Sequence, residues 1–375
     1  MSSHALVSTT KPCLLIIGGG VAGVQIALSC AAEYEVTLVD RKKYFEVTNA
    51  TCRSCVDPDF AKGTVFAYSE FAAMGRVVTG SIVAMTAYTA TLDSGEVFRF
   101  DNAVICTGTT YINTAMPWPN TNCAITKQER LEELLRSSEQ FKAAKVITIV
   151  GGGPAGVEMA AEILEMFAGK SLTVIGHAGS LLPRMPARCG AHAKRWLEGH
   201  GAKVILGEGA KAGASPNSLV TSTGNQLQSD LVLMAVGGKV NSGFLEGGEL
   251  GKTLNEAGRI KVSPSLQVPS FPHIFAVGDV NDVDEPKLTY LAQLQAKNTA
   301  KNLLGLVKPA PPKLKSYAPM GLGGGPLVGF VSLGRSDGAG RLNSCTCTGF
   351  FPVGMIKSKD LFSGKLASSL GLKVR

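Results

Sequence analysis

With 375 residues, the chain exceeds what one hydrophobic core usually serves, and 45% hydrophobic content supplies apolar side chains for two or three. No run of about 18 uninterrupted apolar residues occurs and no charged stretch followed by an apolar core opens the chain, so neither a membrane-spanning helix nor a secretory signal is expected. The net charge of +8 favours anionic partners, a dinucleotide, an acidic membrane surface or nucleic acid, without choosing among them.

The opening Met1 to Thr10 is Ser/Thr-rich and free of acids, which leaves organelle targeting open beside a cytoplasmic default. Nine cysteines, an odd number scattered along the chain, argue against a disulfide framework. An apolar run from Leu14 to Ile17 meets Gly18-Gly19-Gly20-Val21-Ala22-Gly23 and continues at helical spacing through Val24, Ala27 and Leu28. This reads as strand, tight turn and helix, a cradle for a pyrophosphate, in which Gly18, Gly20 and Gly23 supply the turn, a bare backbone and close strand-helix packing. The next apolar run, Val36 to Val39, delivers Asp40, where a carboxylate accepts hydrogen bonds from a ribose.

Between Arg41 and Tyr68 lies Cys52-Arg53-Ser54-Cys55. The pair is read as two buried, inert thiols; a reactive pair, which would make the protein a flavin-dependent disulfide reductase using Cys52/Cys55, is the alternative. From Val77 to Thr107 the pattern is of short antiparallel strands with a turn at Asp93 to Glu96, closing on a buried strand that ends at Thr107-Gly108. Pro117, Pro119 and the Asn-rich residues from Asn113 to Asn122 mark a linker.

After a charged helical stretch over 128–144, the opening device repeats. Val146 to Val150 runs into Gly151-Gly152-Gly153-Pro154-Ala155-Gly156 and then Val157-Glu158, so two dinucleotides are expected on one chain. The strand Leu172 to Ile175 ends on Gly176-His177 with no acid. With no carboxylate to repel a 2′-phosphate, and with His177, Arg184 or Arg188 near it, NADPH is expected to be accepted along with NADH. Lys203 to Val236 repeats the strand pattern and closes at Gly237. His273 to Val277 delivers Gly278-Asp279, an acid suited to a ribityl chain, which favours FAD as the first dinucleotide. Pro286-Lys287 opens a helix through Tyr290 and Leu291 to about Leu306, whose N-terminus, helped by Lys287, would stabilise charge on a reduced flavin. A connector from Lys308 to Lys315 and a flexible turn at Gly321 to Gly325 lead to the basic tail Lys357 to Arg375. There Phe362, Leu366 and Leu370 share a helical face, to lie on an anionic membrane or to pack on the domain.

Together these motifs carry a resemblance. Gly18-Gly19-Gly20 with Asp40, Phe60-Ala61-Lys62, Gly151-Gly152-Gly153 followed by Val157-Glu158-Met159-Ala160-Ala161-Glu162, Val277-Gly278-Asp279, and Pro286-Lys287 with Tyr290-Leu291-Ala292 resemble the ferroptosis suppressor proteins. These are apoptosis-inducing-factor-like flavoproteins related to type II NADH dehydrogenases. Leu333 to Gly338 and Lys357 to Phe362 are similar to that family's C-terminal blocks, and Tyr44-Phe45-Glu46 is similar to its plant and algal members.

The resemblance implies an α/β double Rossmann fold like that of glutathione reductase, with a split FAD domain (11–119 and 258–310), an NAD(P)H domain (120–257) and a C-terminal domain (311–375). It implies FAD, NADH or NADPH as co-substrate, and a lipid quinone of the ubiquinone or vitamin K type as acceptor. Glu158, Lys287, Lys357 and Phe362 are expected at the reacting end. The FAD contacts are expected from Gly18, Gly20, Val21, Ala22, Gly23, Asp40, Arg53, Thr107, Gly108, Gly278, Asp279, Lys287, Tyr290 and Leu291. Those to NAD(P)H are expected from Gly151, Gly153, Pro154, Gly156, Glu158, His177 and Gly237. Animal members have an N-terminal Gly for myristoylation, whereas Ser2 stands here, so membrane contact, at a lipid droplet or another surface, is expected either through the basic C-terminal segment or to be weak. A monomer or homodimer is expected. No aromatic-interleaved basic stretch occurs, so specific nucleic-acid binding is not expected, although a redox-sensing or nucleic-acid-binding flavoprotein is the reading from another class.

Overall fold

The computed structural model describes residues 11–111, 117–118, 124–321 and 328–373. The opening segment through Thr10 with Ser2, most of the Asn113 to Asn122 linker, the glycine turn beyond Gly321, and Arg375 lie outside the described residues.

The first sheet has the spatial order Gln267–Val268, Phe271–Ala276, Asn102–Ile105, Cys13–Ile17, Glu35–Asp40 and Arg76–Thr79. Its strands pair in parallel except at the Gln267–Val268 edge. Strand alternation explains why every residue of Leu14 to Ile17 is apolar. Leu14 and Ile16 face a core shared with Val24, Ala27 and Leu303, whereas Leu15 and Ile17 face a second core with Ile82, Leu92 and Phe98. The helices Val21–Cys30 and Thr289–Leu306 belong to the first of these layers, and the antiparallel strands Ile82–Met85, Thr89–Leu92 and Val97–Arg99 to the second.

The second sheet is wholly parallel, in the order Lys203–Leu206, Ser171–Gly176, Val146–Val150 and Leu231–Met234. Its core is closed by Lys127–Ala143, Pro154–Met166 and Ala187–Gly199. Thr126 and Glu129 form a reciprocal capping box at the start of the first of these helices. The chain leaves the first sheet along Thr109–Tyr111 and returns along Gly238–Val240, and these two segments pair antiparallel. Three antiparallel strands, Val328–Leu333, Asp337–Leu342 and Cys345–Thr348, follow, then a π-helical segment Phe350–Ser358 and a short helix Ser363–Ser369.

That last helix decides between the two readings of the tail. Leu366 and Leu370 are buried in the same core as Leu14, Ile16 and Phe275, so the apolar face packs on the protein and is not free to meet a membrane. Among the described residues no helix is long and apolar enough to cross a membrane.

Candidate active site

The two glycine turns have the same construction. Gly18 and Gly151 take φ of +103 and +135, a region that side chains other than glycine rarely adopt. Five residues on, a Cβ at Gly23 would stand 1.9 Å from the Gly18 carbonyl oxygen, and one at Gly156 would stand 2.0 Å from that of Gly151. The helices Val21–Cys30 and Pro154–Met166 therefore start hard against their strands. Gly20 and Gly153 open onto free space. Asp40 braces the first turn, with Oδ2 accepting from the Gly19 amide at 2.6 Å and Oδ1 from the Lys42 amide at 2.7 Å.

Both turns open onto a single cavity of about 1390 Å³, larger than the roughly 300–1000 Å³ of common small-molecule sites. Gly20, Gly153 and Leu288 on its wall are the N-caps of three helices, and none of these helices has a side-chain cap. Helix N-termini carry orphan amide donors and partial positive charge, so three of them on one cavity suit two pyrophosphates and a third electronegative group. Asp279 also lines the cavity, and Thr109 Oγ1 at 3.4 Å is its side-chain donor. Burial raises its carboxyl above the usual range, against the pull of Lys287 and Arg259. Asn49, on the same wall, gives its amide to the Leu361 carbonyl, and its buried Oδ1 has no partner among the described residues. These features fit an FAD with a nicotinamide dinucleotide beside it.

At the second helix start, Glu158 Oε1 receives Lys357 Nζ at 2.5 Å, the Ser332 amide at 2.9 Å and the Ser332 hydroxyl at 3.3 Å. Lys357 also donates to the Phe330 carbonyl at 2.6 Å. Both side chains are nearly buried, and both reach the cavity wall. Phe362 lines the same wall in a left-handed conformation, after Leu361 in the same conformation.

The remaining expected contacts fall into three groups. Gly18, Gly20, Thr107, Gly108, Tyr290, Gly153 and Pro154 lie on the wall, with Thr107 held by reciprocal hydrogen bonds to Asn241. Val21, Ala22, Gly23, Gly151, Gly156, Gly278 and Leu291 stand behind it; the Gly278 amide donates to Gln295, and Leu291 is in the core. His177 and Gly237 are exposed and off the wall. Strand register puts Gly176 at the position that Asp40 holds in the first unit, since Ile17 pairs with Val39 and Val150 with Ile175. Among the described residues no metal-binding group of three side chains occurs.

Arg53, Lys287 and the pair Cys52/Cys55 are each held by other groups of the protein. Arg53 lies off the cavity wall: it is fully buried, and its guanidinium engages Glu162 and the carbonyls of Lys359 and Gly334. Lys287 lines the cavity as expected, with its ammonium turned toward the adjoining loop, donating to the carbonyls of Asn281 and Val283 and to Asn281 Oδ1. Its three protons are taken, and burial with the nearby Arg259 charge lowers its pKa against the pull of Asp279. Cys52 and Cys55 do not present a joined reactive pair. Cys52 lines the wall but is almost fully buried, Cys55 Sγ donates to the Cys52 carbonyl at 3.1 Å, and burial raises both thiols well above their ordinary value. At neutral pH, alkylation of the native protein is expected at exposed Cys345 and not at Cys52 or Cys55; peptide mass mapping would show it.

Similarity to known proteins places the chain in a family. The family model described as pyridine nucleotide-disulphide oxidoreductase matches residues 12–296. Apoptosis-inducing factor homolog B of Dictyostelium discoideum is 31% identical, over 97% of this chain and 98% of that one. Ferroptosis suppressor protein 1 of Homo sapiens is 30% identical over 96% of each. Among solved structures, NDH2 of Plasmodium falciparum in complex with NADH is similar in fold, with a TM-score of 0.73 at 14% identity over 94% of this chain and 96% of that one. So is the sulfide:quinone oxidoreductase of Aquifex aeolicus, with a TM-score of 0.73 at 18% identity over 96% and 91%. The chain belongs to the pyridine nucleotide-disulphide oxidoreductase family, among its ferroptosis suppressor and apoptosis-inducing-factor-like members, and is an oxidoreductase that uses FAD and NAD(P)H.

Proposed function

We propose that this enzyme reduces a lipid quinone, of the ubiquinone or vitamin K type, to its quinol at the expense of NADH or NADPH. The observation that carries the reading is the Glu158–Lys357 pair at 2.5 Å on the wall of the cavity that both glycine turns share. The likeness in fold to the sulfide:quinone oxidoreductase of Aquifex aeolicus supports it.

We assign 11–119 and 258–310 to the FAD unit, 120–257 to the NAD(P)H unit and 311–375 to the C-terminal unit, consistent with the membership of the two parallel sheets. Gly18, Gly20 and the helix-start amides of Val21, Ala22 and Gly23 would hold the FAD pyrophosphate, Asp40 its ribose and Asp279 its ribityl chain. Thr107, Gly108, Tyr290 and the helix that begins near Leu291 would frame the flavin. Gly151, Gly153, Pro154 and Gly156 would hold the nicotinamide dinucleotide, with Gly237 and His177 toward its outer end. Bound there, FAD supplies two-electron chemistry between hydride donor and acceptor. A quinone that gains two electrons takes up two protons on becoming a quinol. Lys357 Nζ is positioned to donate to a quinone oxygen, and Glu158 holds that ammonium in place. Phe362 narrows the entrance.

Anaerobic oxidation of NADH by the purified yellow protein, with a short-chain ubiquinone against a disulfide substrate, tests the reading. Rapid oxidation only with the quinone is expected, and only with the disulfide would overturn it. The Cys52→Ser, Cys55→Ser double variant should keep quinone turnover within about twofold, as buried, raised thiols take no part. The bare second ribose position has its own test. Gly176→Asp needs only a small shift of the Leu206 side chain, since its Cβ would stand 3.1 Å from Leu206 Cδ2 and an ordinary 3.7 Å from the Gly152 backbone. A new carboxylate there should raise KM for NADPH about tenfold relative to NADH, as expected for repulsion of a 2′-phosphate.

A further inference from the structure

Large apolar side chains exposed on this protein are mostly isolated, but one segment is different. Phe350, Phe351, Met355 and Ile356 are 61%, 75%, 55% and 45% exposed, and no other stretch of the described residues exposes four such side chains within seven positions. The segment is not loose. Its inner side carries Val353, Lys357 and Ser358 into the interior, Ser358 Oγ bonds the Asp337 carbonyl at 2.6 Å, and a Cβ on Gly354 would stand 2.1 Å from the Ser336 carbonyl oxygen. The fold thus holds four greasy side chains in water on a fixed platform, which is the signature of a surface with a partner.

The position of the platform identifies that partner. Ile356, with Leu342 (42% exposed) and Tyr290 (49% exposed), belongs both to the outer surface and to the cavity wall, so the apolar patch continues into the mouth of the cavity. Lys297 and Lys365, both exposed, line the same cavity, and Lys359 is exposed just after the segment. The neighbouring acids are engaged: Asp360 accepts from the amides of Phe362 and Gly364, and Asp337 pairs with His192 at 2.7 Å. An apolar patch that runs into a cavity lined by exposed, unpaired lysines, with a further lysine at its chain end, matches a bilayer interface of apolar chains beneath anionic headgroups.

We propose that Phe350, Phe351, Met355 and Ile356 insert into the interface of an anionic phospholipid membrane and seat the cavity mouth on the bilayer. A lipid quinone then enters from the acyl-chain region without crossing water. The second statement rests on the quinone reading above; the first does not.

The test uses full-length, FAD-loaded protein and the Phe350→Ser, Phe351→Ser double variant, with Met355→Ser as a second. These side chains are exposed and off the cavity wall, so flavin absorbance and Tm should match the wild type. Sedimentation with vesicles of phosphatidylcholine, one-third of it replaced by phosphatidylserine, reads membrane binding directly. Wild type is expected to bind, more weakly to phosphatidylcholine alone and at high salt, and the double variant at least about tenfold more weakly. Turnover with a water-soluble short-chain quinone should stay within about twofold, while turnover with a long-chain quinone embedded in those vesicles falls about tenfold. Unchanged vesicle binding in both variants overturns the proposal, as does a wild-type dimer that the double variant dissociates without loss of vesicle binding. Weakened vesicle binding with no turnover of either quinone upholds the membrane surface and removes the quinone reading instead.

Discussion

With Lys357 replaced by methionine, reduction of the enzyme by NADH under anaerobic conditions should change little, while its reoxidation by a quinone slows about 100-fold, the lower range for loss of a general acid. Methionine keeps the length and apolar packing of the lysine stem but removes the proton that Nζ carries. Glu158 then retains only the Ser332 amide and hydroxyl as donors, and the Phe330 carbonyl loses its 2.6 Å partner. Glu158→Gln is the complementary change. It keeps an acceptor for Ser332 but removes the charge that fixes the ammonium, and should lower quinone turnover with FAD still bound. Because the two side chains share one contact, the double variant should be no slower than the worse single variant by more than a few-fold. Stopped-flow measurement separates the halves. Equal slowing of both half-reactions would reduce the pair to a structural tie, and normal reoxidation in the Lys357→Met variant would remove Lys357 from proton delivery.

How far this site was legible in the sequence depended on whether a residue's task is set locally. Gly18, Gly23, Gly151 and Gly156 were legible because a positive φ and a backbone in van der Waals contact leave no room for a Cβ, and a strand before and a helix after complete the signal. Asp40 follows from strand register in the same way. Pairings across the fold left no such trace. Glu158 and Lys357 are 199 positions apart and the Arg53–Glu162 pair spans 109, so nothing near Arg53 distinguishes a phosphate ligand from a buried strut. Asn49 and Ser332 escaped notice because a single Asn or Ser has no periodicity or spacing to mark it. For Lys287 the residue type and place were legible, but not the direction of its ammonium, which depends on carbonyls of a loop without regular structure. The tail showed its apolar stripe clearly and its partner not at all, since burial against Ile16 or Phe275 is decided more than 90 residues away in sequence.

Arg53→Met should cost about 3–5 kcal/mol of stability, the range for breaking a buried ion pair on one side, seen as a Tm lower by about 5 °C for a chain of this size. The guanidinium is fully buried, meets Glu162 Oε1 at 2.7 Å, and donates to the carbonyls of Lys359 and Gly334 at 3.0 Å each. It therefore joins the Thr51–Ser54 helix, the Pro154–Met166 helix and the C-terminal segment that carries Lys357. Arg53→Lys should recover little, because one ammonium on a shorter stem does not span three acceptors. Adding Glu162→Gln to Arg53→Met should recover part of the loss, since the harm lies in a lone buried carboxylate more than in a missing attraction. The pH dependence checks that cause. Burial already raises the Glu162 carboxyl above its ordinary value even with Arg53 hydrogen-bonded to it, and without the arginine it must rise further. Between the unfolded and folded pKa values the native variant then binds more protons than its unfolded chain, so its stability falls as pH rises through that window. The deficit relative to wild type should accordingly narrow as the pH is lowered from 8 toward the ordinary carboxylate range and the raised carboxyl takes up its proton. A deficit that stays constant over that range would place the loss in packing against Phe60, whose ring lies 5.4 Å from the guanidinium, and in the two orphaned carbonyls, rather than in charge.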